Sequence, residues 1–379
     1  MLPESSIYIH FPFCKSKCYY CNFFSETNSV IKPEDYINLL IKEASQRNDY
    51  LNNSIVKSIY LGGGTPSLFS PQLISELLNR LYKIFNISEN AEITIEVNPD
   101  DITDEYVKFL ASNTKINRIS IGIQSFNDKE LKLINRRHSS RKAMESLEII
   151  SKHFDNFSLD LIYGLPSQDL ESLNRNIEMA LRFKPKHISV YSLTIEKGTP
   201  LFNDIQKKEI NIPGEDDEVN FYFFIADRLK ENGYDHYEIS NYSLDGFKSK
   251  HNSAYWTGNT YLGLGPGAHS FDGNQRRWNF PSLLTYKTSL EDGKNYFETE
   301  KIDLTDSYNE YIMLAFRTKM GINLDYIDDK YGGIFTENTK NKLLLVPKDH
   351  LIIIKSNYSL NDAGFLFADK YASDFFINS

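Results

Sequence analysis

The sequence predicts an α/β protein: an incomplete, TIM-like (β/α)6 barrel followed by a winged-helix-like α+β domain. Three observations carry this. From residue 5 to about 195, six short runs rich in β-branched residues alternate with longer amphipathic stretches, which is the pattern of βα units and a parallel sheet. Six units fall short of the eight that close a barrel. After residue 300 the pattern becomes helix, hairpin and helix. The expected division is a barrel over 1–235, a linker region over 236–300 and a C-terminal domain over 301–379.

The strand runs are SSIYIHF (5–11), KSIYLGG (57–63), AEITIEVN (91–98), RISIGIQ (118–124), FSLDLIYGL (157–165) and HISVYSL (187–193). Between them, PEDYINLLIKEA, SPQLISELLNRLYKIF and SSRKAMESLEIISKHF read as helices, the first two with Pro at or near the first helical position. PGEDDEVNFYFFIADRLKENGY (213–234) reads as a helix whose acidic first turn suits the positive N-terminal end and whose FYFF face packs on the barrel. In the last part, a helix from about Asp306 to Lys319 is expected to be capped by Thr305, and LLLV, a PKDH turn and LIIIK to form the hairpin.

Ligands of such barrels sit at the carboxyl ends of the strands, and polar residues gather there. The second run ends in Gly62-Gly63-Gly64-Thr65-Pro66, where backbone N–H groups can approach a ligand closely. No Gly-Lys-Ser/Thr follows, so this is not a P-loop. Glu96 and Asp160 are charges inside apolar runs, and a buried charge calls for a partner such as an ammonium or a ribose hydroxyl. Gln124 closes the fourth run, and Arg136, Arg137 and His138 follow. Gly263, Gly265 and Gly267 lack Rossmann spacing, with Ala268 at the third glycine position and Pro266 interrupting, so they read as a tight loop.

All three cysteines, Cys14, Cys18 and Cys21, lie in the loop after the first run with C-x3-C-x2-C spacing. They would share one helical face, but Pro12 and the aromatic surroundings make a poor helix start. An odd count disfavours a disulfide framework. Two readings remain. One is zinc, with His10 as fourth ligand. His10 would have to reach back from a predicted strand, so the leading reading is the other, an iron–sulfur cluster on three thiolates with one iron left open to a second molecule. Lys15 and Lys17 beside the thiols favour thiolate.

Composition narrows the class. With 42 Lys and Arg against 51 Asp and Glu, the net charge of −9 offers no broad basic surface to nucleic acid. In the last 79 residues nine basic side chains face eleven acidic ones, too few to neutralise phosphates, so that domain reads as a packing or partner module. No apolar run reaches the roughly 20 residues of a membrane span, and MLPESS does not resemble a signal peptide. A cytoplasmic protein without stable membrane insertion is expected, where reducing conditions keep thiols free for metal. The aromatic share of 13% suits a flat apolar ligand but serves a core equally well.

The run Tyr8-x-His10-x-Pro12-x-Cys14-x3-Cys18-x-Tyr20-Cys21 resembles the cluster loop of radical SAM proteins, in the branch containing oxygen-independent coproporphyrinogen III oxidase and the HemW heme chaperones. The resemblance covers nearly the whole chain. It implies a [4Fe-4S] cluster on Cys14, Cys18 and Cys21 whose open iron is chelated by S-adenosyl-L-methionine (SAM). One electron then cleaves SAM to a 5′-deoxyadenosyl radical. By the same resemblance Tyr8, Tyr20, Gly63, Gly64, Thr65, Glu96, Gln124, Arg136 and Asp160 line the SAM site. His251-Asn252-x2-Tyr255-Trp256 is similar to the HN-x2-YW motif that marks the HemW group, and Phe23 stands where the oxidases carry a fourth cysteine. The implied function is a heme chaperone that takes up heme near His251 and passes it to a heme-accepting protein. Imidazole is a good axial ligand for heme iron, and His236 and His269 are the other candidates. The resemblance also implies an electron donor such as flavodoxin and allows a homodimer. The alternative it leaves is an enzyme, the oxygen-independent coproporphyrinogen III oxidase of porphyrin biosynthesis.

Overall fold

The β-branched runs become the strands of a parallel sheet because side chains on both faces are covered. In the first, Ile7, Ile9 and Phe11 on one face are fully buried and Ser6 and His10 on the other are at most 5% exposed, as a strand between two layers requires. The computed structural model describes residues 2–377. The parallel strands are β1 (Glu4–Phe11), β2 (Ile55–Gly63), β3 (Ile87–Val97), β4 (Arg118–Gln124), β5 (Phe157–Tyr163) and β6 (His187–Ser192), paired in sequence order. Their crossovers are α1 (Pro33–Gln46), α2 (Pro71–Ile84), α3 (Asp104–Asn113), α4 (Asp128–Leu133), α5 (Ser140–His153) and α6 (Leu170–Arg182). Local chemistry fixes where several begin. Ser70, Thr103, Ser139 and Asp169 each cap a helix by accepting a backbone N–H of its first turn.

The chain continues through α7 (Pro200–Gln206) and α8 (Glu215–Glu231). Residues 236–300 are largely laid into the edges of the same sheet. After β6 come β8 (Asn241–Ser243) and β7 (Asp235–Glu238), both antiparallel. On the far side, β9 (Thr260–Leu264) runs parallel to β1, and β10 (His269–Phe271), β11 (Gln275–Asn279) and β12 (Phe297–Lys301) extend it as a meander. The result is a twelve-stranded sheet with six parallel barrel strands at its centre. Two further helices, α9 (Lys250–Trp256) and α10 (Leu283–Asp292), lie in this stretch.

A buried ion pair fastens the meander to α1. Glu43 is fully buried and Arg47 is 5% exposed, with Nη1 to Oε1 at 3.1 Å. Arg47 also donates to the Gly263 carbonyl and Ser270 Oγ, while Glu43 accepts from Tyr286, Asn279 and the Gly265 N–H. Gly265 sits at φ 96°, and a Cβ there would come within 2.8 Å of the His10 carbonyl and 2.7 Å of the Tyr36 hydroxyl. Gly265 and Gly267 thus lie in the expected tight loop, pressed against β1, whereas Gly263 is not in the loop but in β9.

The C-terminal part holds α11 (Leu304–Phe316), α12 (Leu324–Tyr331), α13 (Gly333–Leu343), α14 (Asp362–Phe365) and α15 (Ala368–Phe375) around a small antiparallel sheet. Its strands are β13 (Ile322–Asn323), β14 (Leu351–Ile354) and β15 (Asn357–Leu360). Two expectations need correction. The cap of α11 is Asp303, reciprocated by Asp306, rather than Thr305: the helix begins at Leu304 and the Asp303 carboxylate satisfies the N3 amide of Asp306. The segment LLLV is no strand: it ends α13 and turns, with only Leu343 and Val346 buried, and the hairpin is β14–β15. α8 faces both cores, with Phe221 and Phe224 in the barrel's and Tyr222 and Phe223 in the C-terminal one.

Removing one member of a buried ion pair strands the other's charge. Arg47→Ala is therefore expected to lower unfolding free energy by about 3 kcal/mol, measured by urea denaturation against the parent chain.

Candidate cluster and ligand site

The loop after β1 is extended and bent rather than helical, which removes the reading of the cysteines as a buried helical face. It is pinned at several points. Cys14 N–H donates to the Glu26 carbonyl and Glu26 N–H to that of Pro12. Tyr19 N–H reaches the Ile134 carbonyl, and Asn135 Nδ2 donates to the Lys17 carbonyl. These bonds hold the loop over the mouth of the barrel.

All three thiols face one cavity of about 530 Å³ at the carboxyl ends of the strands. Tyr20, Gly63, Gly64, Thr65, Glu96, Gln124, Arg136 and Asp160 line it as well. A chain of hydrogen bonds connects two of the cysteines across three strand ends. Arg136 Nη1 lies 3.6 Å from Cys18 Sγ and Nη2 donates to Asn98 Oδ1 at 2.8 Å. Asn98 Nδ2 donates to Thr65 Oγ1 at 3.0 Å, and Thr65 Oγ1 lies 3.6 Å from Cys14 Sγ. The donors at the two ends of the chain, Arg136 Nη1 and Thr65 Oγ1, point toward sulfur, an arrangement that stabilises thiolates. Burial raises the Cys21 thiol above its usual range, so that sulfur needs a cation to hold it ionised.

The glycine run is dictated by crowding. At Gly63, with φ 104°, a Cβ would stand 2.4 Å from His10 Nδ1. At Gly64 it would stand 2.6 Å from the Phe11 carbonyl oxygen. Gln124 takes a left-handed φ of 66°, a strain of about 1 kcal/mol or more for a residue with a side chain.

The cavity wall is polar. Glu96 accepts from Tyr60 Oη at 2.7 Å and Gly63 N–H at 3.1 Å. Burial pushes its carboxyl up to about 7, opposed by the Tyr60 hydrogen bond and reinforced by Asp160. Burial likewise raises Asp160, against hydrogen bonds from Ser189 and Ser120 and the charge of Arg118. Arg118, Ser120, Tyr60, Asn98, Ser189 and Tyr191 also line the cavity. Sequence reading missed these as site residues. The one signal was the charge at the head of RISIGIQ, Arg118, now 2% exposed.

Two residues expected at the site stand behind its wall. Tyr8 Oη bonds His10 Nδ1 at 3.0 Å, and its ring lies 6.3 Å from Tyr60. His251 is 2% exposed; its Nδ1 meets Ser58 Oγ at 2.9 Å and its ring stacks on Tyr60 at 4.9 Å. Nε2 is buried without a partner, and burial lowers the imidazole to about 3, so it is neutral. Its neighbour Asn252 lines the cavity, and Tyr255 meets His251 edge-on. His10 offers little to a metal: Nε2 is taken by the Phe24 carbonyl at 2.9 Å and Nδ1 by Tyr8. Among the described residues no group of three His, Cys, Asp or Glu converges on a single ion.

A family model described as Radical SAM superfamily matches residues 8–180. A protein of Lactococcus lactis named heme chaperone HemW is 34% identical over 94% of this chain and 95% of its own length. One of the same name from Buchnera aphidicola of Acyrthosiphon pisum is 36% identical over 99% of this chain and 96% of its own. The chain belongs to the radical SAM superfamily, in its HemW family. The solved structure titled coproporphyrinogen III oxidase (HemN) from Escherichia coli, a radical SAM enzyme, superposes with a TM-score of 0.83 over 99% of this chain and 90% of that one, at 23% identity. That likeness establishes a shared fold. Phe23, 64% exposed, stands at the rim of the thiol-lined cavity.

The raised Glu96 carboxyl sets a pH dependence. The folded chain binds this proton up to about pH 7, whereas the unfolded chain releases it near 4.5, so stability falls as pH rises through that window. Glu96→Gln is expected to flatten this part of the stability–pH curve of the cofactor-free protein. Unfolding midpoints from pH 4 to 8 measure it; parallel curves for the two proteins would show that Glu96 does not titrate there.

Proposed function

We propose that the chain is a heme chaperone: it carries a [4Fe-4S] cluster on Cys14, Cys18 and Cys21, binds SAM in the adjoining cavity, takes up heme and hands it to a heme-dependent acceptor protein. The observation that carries this reading is the meeting of three thiols, two of them within reach of side-chain donors, with a polar cavity. When bound, the cluster and SAM supply one-electron chemistry, with the electron from a donor protein such as flavodoxin.

The chain's own residues position and insulate. Thr65 and Arg136 donate toward the sulfurs of Cys14 and Cys18 and hold them as acceptors. The Gly63–Gly64 turn presents backbone at the wall with no side chain in the way, suited to the amino and carboxylate groups of SAM. Glu96, Gln124 and Asp160 offer acceptors deeper in the cavity for an ammonium or ribose hydroxyls.

For heme, the free and neutral Nε2 of His251 has the chemistry of an axial ligand. Heme must displace the aromatic cover of Tyr8, Tyr60 and Tyr255 to reach it. His236 is the weaker candidate, since both its nitrogens are hydrogen-bonded. The names of the relatives and Phe23 at the fourth-cysteine position favour the chaperone over the oxidase.

Heme titration of the parent chain is expected to give a histidine-ligated Soret spectrum that His251→Ala loses. Identical titrations would remove His251 as ligand. Strictly anaerobic incubation of the reduced, cluster-loaded protein with coproporphyrinogen and SAM is expected to give no decarboxylated product; turnover would select the oxidase.

A further inference from the structure

The C-terminal domain exposes aliphatic side chains that its own core does not use. Leu344 and Leu345 are each 82% exposed at the end of α13, although their neighbours Leu343 and Val346 are buried. Seven residues beyond Leu345, β14 carries Ile352, Ile353 and Ile354 at 41%, 54% and 65% exposure. The two groups are separated by seven residues of chain, a reach of at most about 25 Å. Alternate residues of a strand face opposite sides, so three consecutive exposed isoleucines mean that both faces of this tip are bare. β14 is also an edge strand, paired only with β15. A packing module would cover at least one of these faces, and bare aliphatic surface of this kind marks an interaction site.

The charges beside it indicate the partner. Residues 340–355, KNKLLLVPKDHLIIIK, hold Lys340, Lys342, Lys348 and Lys355 against Asp349 alone, a local excess of basic charge in a chain of net charge −9. Lys340, Lys348 and Lys355 are exposed and unpaired with any carboxylate among the described residues. Lys342 reaches the Phe376 carbonyl. Besides Asp349, the acids beside this run are Asp325, which accepts from Ser356 in the hairpin turn, and Asp374, whose charge acts on Lys342. Exposed aliphatic side chains flanked by lysines complement an anionic lipid surface, where the apolar groups enter the headgroup boundary and the ammonium groups meet phosphates.

We propose that the β14–β15 tip and the adjoining end of α13 dock the protein reversibly on anionic bilayers. No helix among the described residues is long and apolar enough to cross a membrane, so this is a surface contact. It would hold the cavity near acceptors that lie in or on that membrane.

Flotation of the full chain with phosphatidylcholine vesicles, with and without phosphatidylglycerol, tests this. Binding is expected only with the anionic lipid, weakened by high salt. The double variant Ile353→Asp/Ile354→Asp should bind about tenfold less or weaker, and Lys348→Gln and Lys355→Gln about fivefold less each. All these positions are exposed, and unchanged thermal midpoints would confirm intact folds. Failure of the parent chain to float, or flotation of the variants equal to the parent, would overturn the proposal. Variants that lose heme transfer while the parent never binds vesicles would assign the tip to a protein partner instead. Heme binding by the chain in solution is unaffected in every case, so the chaperone reading is tested separately.

Discussion

The arrangement depends on the Arg136 guanidinium. One nitrogen lies against Cys18 Sγ, and another donates to Asn98 and to the Gly122 carbonyl. It therefore ties the cysteine loop to the ends of β3 and β4, and through Asn98 and Thr65 to Cys14 and the end of β2. A flexible loop of three thiols would pay conformational entropy to gather around any metal group. Here donors and loop anchors fix much of that geometry beforehand, which is the preorganisation a reactive centre needs.

The same economy governs the cavity wall. β3 and β5 bring Glu96 and Asp160 to one cavity, where burial raises both carboxyls, and Arg118 on β4 opposes the rise. Glu96, pushed up to about 7, can change charge state when a cation or hydroxyl arrives, at low cost. The aromatic layer of Tyr8, His251 and Tyr255 behind this wall, with Tyr60 in the wall itself, keeps an unprotonated imidazole nitrogen out of water.

The parallel strands were legible because burial on both faces leaves continuous β-branched runs. The cysteines, Glu96, Gln124, Arg136 and Asp160 were legible because polar residues at the ends of such runs are costly without a purpose. β7 to β12 were not: strands of three to five residues such as Asn241–Ser243 or Gln275–Asn279 carry too little pattern to separate from loop. Arg118 stood out only as a charge at the head of an apolar run, and its place at the site depends on register, Thr94 opposite Arg118, which no local pattern encodes. His251 was found by its motif, but its enclosure arises from rings on β1, β2 and α9 that only the fold brings together.

The central claim is that three side chains of one loop hold an iron–sulfur cube with a corner left for SAM. Anaerobic reconstitution with iron and sulfide, followed by metal and sulfide analysis and by electron paramagnetic resonance of the reduced protein with and without SAM, tests it directly. About four irons and four sulfides per chain, with a cluster signal that SAM alters, are the outcome this geometry predicts. Zinc without sulfide, or a cluster signal that SAM leaves unchanged, would contradict it.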